Sequence, residues 1–341
     1  LMAAASLEIP SIIAVAGPMI TGDWRGERLG ACTDCRRYWG QHRAGLIGSE
    51  EVVQVRDNLC STAGTCMVMG TASTMACMAE ALGIMVPGGA SPPATTGERL
   101  RIGVETGRLA VSQASSGRTA SDFMSRSAFE NALIVLAAVS GSTNAVIHLL
   151  AVAGRLGVNL SLDDFDRVAR KVPLLVDCKP AGKGYMEDFH RAGGMPGLLK
   201  VLEPLLDLDV VGVTNQCLGD YLDSIQIPGD WQTTIRSLDK PLDPSASLVV
   251  LRGSLAPNGA VFKRAAASPN LHKHIGKAVV FDGPEDVTER IDDPSLGIEP
   301  DNVLILRGAG PVAMGMPEVG SMPIPSYLAS QGITDMVRIS D

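Results

Sequence analysis

Aromatic residues are scarce in this chain: Phe, Trp and Tyr together make up 4% of 341 residues, against 37 glycines. A core with few large rings has to close by backbone approach, so small residues and tight turns are expected to carry the packing. Basic runs are missing as well. The formal net charge is −8 and the 29 Lys and Arg are dispersed, so the chain lacks the basic face that phosphate neutralisation needs, which excludes a nucleic-acid partner. No stretch approaches the roughly 18 consecutive apolar residues of a membrane span, and no membrane partner is expected. Seven cysteines, an odd number at irregular spacing, do not read as a disulfide framework. Reduced thiols in a cytoplasmic protein are the expectation. The sequence opens as LMAAASLEIP, with neither an initiator Met nor a basic leader, so it reads as a segment of a longer protein without a visible secretory signal.

What is present points to an ordinary globular chain, 45% hydrophobic and 19% charged. Its length suits two domains at roughly 150 residues each. The opening IPSIIAVAGPM carries a branched run, Ile12 to Val15, that reads as a buried strand closed by Gly17 and Pro18. Met75, Met78, Ala79 and Leu82 stand at helical spacing over 71–82, with Thr71 as the expected N-cap and Gly83 as the stop. Two further buried helices are predicted over 127–138 and 144–155, and Ser161 with Asp164 forms a capping box for a helix that Pro173 terminates. Beyond residue 230 the grammar becomes short branched runs between turns: LVVLRG, AVFKRA, KAVVFDG and NVLILRG. The expectation is an α/β fold: a larger layered α/β domain over 1–230, then a smaller β-rich domain over 240–341.

The stretch LCSTAGTCMVMGTASTMACMAEALG places three cysteines at and before a helix. Cys77 lies inside the apolar helix and reads as small core filling. Cys66 sits in a loop between Gly64 and Gly70 that feeds the helix start, where free amides and the positive dipole end favour a thiolate. Metal ligand and packed thiol both remain open readings for Cys66, and Cys60 is a weaker candidate. Cys32 and Cys35 form a lone C-x-x-C, readable as two loop thiols, a redox pair or half of a zinc site. In SGSTNAVIHL, Ser142, Thr143 and Asn144 crowd a helix N-terminus that serves either simple capping or capture of a substrate anion. His148 follows one turn on, where a satisfied core histidine is the bland alternative to a catalytic one. Glu318, in the glycine-rich loop after NVLILRG, is either solvated or a hard ligand for Mg2+. No P-loop, G-x-S-x-G, H-E-x-x-H or dinucleotide fingerprint occurs.

Taken together, LMAAASLEIPSIIAVAGPM, GTCMVMGTASTMACMAEALG, SGSTNAVIHLLAVA, DFHRAGGMPGLL, LRGSLAPNGAVFK and GMPEVGSM resemble, in order, the dihydroxy-acid and sugar-acid dehydratase family. GACTDCRRYWGQHRAGLIGSEE resembles most its aldonate branch, whose usual substrates are pentonates such as arabinonate or xylonate. The resemblance implies a hydro-lyase that turns a sugar acid into a 2-keto-3-deoxy acid, with a swivelling barrel-like second domain and both domains incomplete in this segment. It implies an iron-sulfur cluster, 2Fe–2S in preference to 4Fe–4S, bound by three cysteines of which one corresponds to Cys66. It also implies Mg2+, with Glu318 at an acidic position near it, and a homodimer or dimer of dimers. A C-D-K-x-x-P motif with further ligands would precede Leu1, and the serine base of an R-x-S-G loop would follow Asp341. Two alternatives stay open: dehydration of branched-chain dihydroxy acids, and a non-catalytic scaffold using Cys32, Cys35, Cys60 and Cys66 for structural zinc.

Overall fold

The computed structural model describes residues 1–310 and 322–341, without the side chain of Cys32; Glu318 lies outside the described residues. Helices are α1 (Met2–Leu7), α2 (Ala31–Arg43), α3 (Ser49–Leu59), α4 (Thr71–Ala81), α5 (Gly97–Ser116), α6 (Ala120–Phe123), α7 (Arg126–Ala138), α8 (Asn144–Arg155), α9 (Leu162–Ala169), α10 (Met186–Arg191), α11 (Gly194–Leu202), α12 (Leu218–Asp223), α13 (Pro284–Arg290) and α14 (Ser326–Ser330). Strands are β1 (Gly22–Trp24), β2 (Glu27–Leu29), β3 (Val249–Leu251), β4 (Ala260–Phe262), β5 (Ala278–Asp282), β6 (Val303–Arg307) and β7 (Arg338–Ser340). The chain forms two compact units, one from residues 1–22, 30–32 and 60–266, the other from 23–29, 33–59 and 267–341.

The first unit is mostly helical. Helix α7 is buried on nearly every side, from Ala128 and Phe129 to Ala137 and Ala138, and packs against α4 and α9. Its one interior amide is satisfied twice by backbone: Asn131 Nδ2 donates to Asp207 O at 2.9 Å, and Asp207 N donates to Asn131 Oδ1 at 2.8 Å. The apolar run Ile12 to Val15 does not become a strand. Among the described residues Ile13 makes a single parallel bridge to Met85, its amide donating to Ile84 O at 2.8 Å, and no ladder continues from it. Helix α4 starts after Gly70, not Thr71, as its N-cap, and it stops before Gly83 at φ 76°, the left-handed turn that favours glycine.

All four branched runs beyond residue 230 form strands, but they divide between the units. β3 and β4 pair antiparallel with Val250 opposite Val261, and both valines pack on the core that α7 and α9 build. That burial keeps the hairpin with the first unit, which extends to residue 266. The second unit holds a parallel sheet in the order β5-β6-β7, with Val280 beside Ile305 and Ile305 beside Ile339. Parallel neighbours need a crossover, and α13 supplies it between β5 and β6. Among the described residues these strands make an open three-stranded sheet, so the barrel-like detail is not seen. Residues 23–29 and 33–59 belong to this second unit, where Leu29, Tyr38, Val55 and Leu59 form a small core of their own. No described helix is long and apolar enough to cross a membrane.

The capping box at α9 forms as the sequence indicates. Asp164 Oδ2 accepts from Ser161 N at 3.0 Å, and the carboxylate also binds Arg126 and, at 3.1 Å, Arg167. Arg126, more than any other group, holds the Asp164 carboxyl below the usual carboxylate range. A depressed folded-state pKa means that the unfolded chain binds the proton first, so this stabilisation is present above the unfolded value and is lost as pH falls through the folded one. Asp164→Asn is expected to lower the unfolding free energy by about 1–3 kcal/mol at neutral pH. In urea unfolding across a pH series, the gap between variant and wild type should begin to narrow once pH drops below the ordinary value of 3.8 and close only as pH falls through the lower folded-state value.

Candidate active site

Cys66 is delivered by a loop braced against the opening segment. Thr65 N donates to Gly17 O at 2.9 Å and Met19 N donates to Thr65 O at 2.8 Å, a parallel bridge that begins next to Gly64. Gly64 has φ 135°, and a Cβ there would lie 2.6 Å from Met19 N, so only glycine lets the two backbones run this close. Past the bridge, Cys66 is half-buried against an apolar group of Met19, Met67, Val68 and Tyr185. Its carbonyl accepts from Ser73 Oγ at 3.2 Å, which ties the loop to the first turn of α4.

That first turn meets the start of α8. Thr71 Oγ1 and Ser142 Oγ are 2.8 Å apart, Asn144 Nδ2 donates to Thr71 Oγ1 at 3.2 Å, and Ser142 N donates to Thr74 Oγ1 at 3.0 Å. Thr71 is therefore occupied by a tertiary partner, which explains why it does not cap its own helix. Ser142 also accepts from Asn144 N at 3.2 Å, while Thr143, the residue before α8, makes no side-chain capping bond. Gly141 is the hinge of this junction: a Cβ would sit 2.5 Å from Leu136 Cδ1 and 2.6 Å from Thr74 Cγ2. His148 lies one turn into α8, half-buried.

The remaining cysteines sort by burial. Cys77 is fully buried in the core of the first unit, and burial pushes its thiol far above its ordinary pKa, as expected of a packed thiol. Cys178 is buried too, donating to Tyr185 O at 3.4 Å. Cys60 is exposed. The C-x-x-C is not a loop: Cys32 and Cys35 fall in the first turns of α2, whose Tyr38 faces a buried cluster at helical spacing from Cys35. Among the described residues, no group of three or more His, Cys, Asp or Glu converges as a metal cage.

Two side chains near Cys66 carry no motif in the sequence. Tyr185 is buried in the same apolar group, and Lys179 Nζ donates to its hydroxyl at 2.6 Å while lying 4.5 Å from the ring centre. Close by, the buried Glu187 accepts from Thr21 N at 3.1 Å and pairs with Arg191 at 3.4 Å. The only hint was the turn-rich KPAGKGY between two apolar runs, which marks a loop without marking its chemistry. Glu80, at the far end of α4, is structural in its contacts. Its oxygens accept from Gly88 N at 2.7 Å and Ala90 N at 2.8 Å, and burial raises its pKa to about 7.

Residues 1–221 match the family description "Dihydroxy-acid/6-phosphogluconate dehydratase N-terminal" and residues 233–341 match its C-terminal counterpart. Similar curated proteins include a 6-deoxy-6-sulfo-D-gluconate dehydratase of Pseudomonas putida, 43% identical over 100% of this chain and 59% of its own length. An L-arabinonate dehydratase of Rhizobium leguminosarum bv. trifolii is 44% identical over the same shares, 100% and 59%. A dihydroxy-acid dehydratase of Sulfurisphaera tokodaii is 37% identical over 99% of this chain and 60% of its own length. The chain thus spans about 60% of the length of the curated relatives it matches. With both family domains matched and nearly every residue of the chain aligned, the chain belongs to the dihydroxy-acid/6-phosphogluconate dehydratase family.

Proposed function

We propose that the protein is a hydro-lyase acting on a sugar acid of the aldonate type, giving a 2-keto-3-deoxy acid, with an iron-sulfur cluster and Mg2+ as its inorganic partners. One observation carries this reading: Cys66 leaves its loop half-buried among thioether and apolar side chains where the first turn of α4 is tied to the start of α8. The sulfur-acid relative and the arabinonate relative, each above 40% identity, support a sugar acid over a branched-chain dihydroxy acid.

The donor chemistry at Cys66 fits one corner of an iron-sulfur cluster, since a single soft thiolate in an apolar, partly shielded loop is the ligand type such clusters take. One thiolate does not hold a cluster, so the reading assigns Cys66 as one ligand of three. The cluster, preferred as 2Fe–2S, would supply Lewis-acid pull on the departing hydroxyl, and Mg2+ would stabilise charge developing beside the carboxylate. The chain's own residues do the rest. Ser73, in the first turn of α4, holds the Cys66 loop in place through the Cys66 carbonyl. Met19, Met67 and Val68 keep water from the Cys66 sulfur. Ser142, Thr143 and Asn144 present the α8 start to a substrate carboxylate, with His148 one turn behind. Glu318 is assigned to the Mg2+ site, and the serine base to sequence following Asp341. The reduced, exposed thiol of Cys60 suits a cytoplasmic setting.

Anaerobically reconstituted full-length protein is expected to be brown, with iron and acid-labile sulfide. Cys66→Ser should bleach the visible absorption and lower bound iron while far-UV circular dichroism stays unchanged. Retention of the full iron content by Cys66→Ser would overturn the assignment. Turnover of L-arabinonate or another aldonate should exceed that of 2,3-dihydroxyisovalerate by about tenfold or more, and the reverse order would place the protein with the branched-chain enzymes.

A further inference from the structure

The connection between α4 and α5, residues 84–96, is gripped from both flanking helices. From α4, the buried Glu80 accepts from Gly88 N at 2.7 Å on one carboxylate oxygen and from Ala90 N at 2.8 Å on the other. From α5, Arg99 donates to Gly89 O through Nη1 at 2.7 Å and to Pro92 O through Nη2 at 2.5 Å. Four backbone groups within five residues are thus taken by two side chains. Burial disfavours the ionised form of Glu80, and the charge of Arg99 opposes that effect. Gly88, Gly89, Pro92 and Pro93 are turn-forming residues in their own right, so closing the connection does not require two charges to be drawn out of water.

The opening segment lies on this connection. Ile13 N donates to Ile84 O at 2.8 Å and Ala94 N donates to Pro18 O at 2.9 Å, so residues 13–18 are fastened at both ends of it. Between these bonds Gly17, at φ 87°, rests on the gripped part: a Cβ there would lie 2.4 Å from Pro92 O and 2.6 Å from Arg99 Nη2. Gly17 O and Met19 N are also the two groups that bridge Thr65, the residue before Cys66. An unbroken run of contacts leads from Glu80 and Arg99 through residues 88–92 to Gly17, and from Gly17 to the Cys66 loop.

We propose that Glu80 and Arg99 are positioning residues for the Cys66 thiolate: together they fix the 88–92 turn, and that turn sets where Gly17 offers its carbonyl to the Thr65 bridge. The proposal rests on Cys66 as a cluster ligand and adds the part of the chain that aims its sulfur. Both side chains act through backbone. Glu80→Gln keeps the shape but replaces one acceptor oxygen with an NH2 donor, which faces the N–H of Gly88 or Ala90 and breaks that bond. Arg99→Lys keeps the charge but gives up the planar fork that spans two carbonyls.

The test uses full-length, cluster-loaded protein. Glu80→Gln and, separately, Arg99→Lys are expected to speed hydrogen–deuterium exchange at the Thr65 and Met19 amides about tenfold, as follows from losing one hydrogen bond to a charged group. The visible circular dichroism per bound iron should shift in both variants. Asp164→Asn, which weakens the α9 cap instead, should leave both readings unchanged, and this separates aim from general stability. Faster exchange confined to residues 84–96, with Thr65, Met19 and the dichroism as in wild type, overturns the proposal, as does an equal effect of Asp164→Asn. Each variant tests it alone, so a folding failure of one leaves the other to decide. Full iron content in Cys66→Ser overturns the cluster assignment on which the proposal rests, and the exchange rates tell that failure apart because they report on backbone, whatever the sulfur binds.

Discussion

The hydroxyl bridge between Thr71 and Ser142, 2.8 Å long, is the contact on which the arrangement around Cys66 depends. It joins the first turns of two helices that are separated by more than sixty residues of sequence, and the Cys66 loop hangs from one of them through Ser73. Each such bond contributes about 1 kcal/mol, so the strength lies in the set: Thr71, Thr74, Ser142 and Asn144 satisfy one another in a partly buried place where an unmade bond costs more than a made one gains. Gly141 permits the set to exist, since any side chain there collides with Thr74 and Leu136.

The scarcity of large rings has a structural counterpart. Helices α4 and α7 pack against each other and contribute Ala76, Ala79, Ala128 and Ala132 to one core, small residues that leave thioethers to fill what remains. Met67, Met69 and Met78 are all buried, and Met67 also accepts from the amide of Ala31 at 3.0 Å. The surroundings of Cys66 are therefore soft and poorly hydrated without being aromatic, apart from Tyr185. That one ring is fixed by Lys179 at its hydroxyl and by Gly30 at its edge, where a Cβ would stand 2.5 Å from Cε1.

Long periodic segments were legible from sequence and single contacts were not. The helices over 127–138 and 144–155 and the capping box at Ser161 appear where their periodicity and cap residues put them, within a residue. Cys77 as core filling follows from the same apolar spacing. A hydroxyl before an apolar helix suits a cap, and nothing local announces that Ser142 will claim Thr71. Ile12 to Val15 reads as a strand by composition, but a strand also needs a neighbour, which is a property of the fold. The C-x-x-C draws the eye to its cysteines, whereas Cys35, Tyr38 and Trp39 show the side of α2 that packs. Strand β7, only Arg338–Ser340, is too short to have a pattern. Lys179 and Tyr185 belong to a turn whose partners are set by tertiary contact alone.

A double-mutant cycle of Thr71→Val and Ser142→Ala, read by urea unfolding, tests the junction most directly. A coupling free energy of about 0.5–1.5 kcal/mol is expected, because each substitution removes the other's partner. Effects that add within about 0.3 kcal/mol would mean that the two helix starts do not hold each other, and the placement of Cys66 would lose its physical basis.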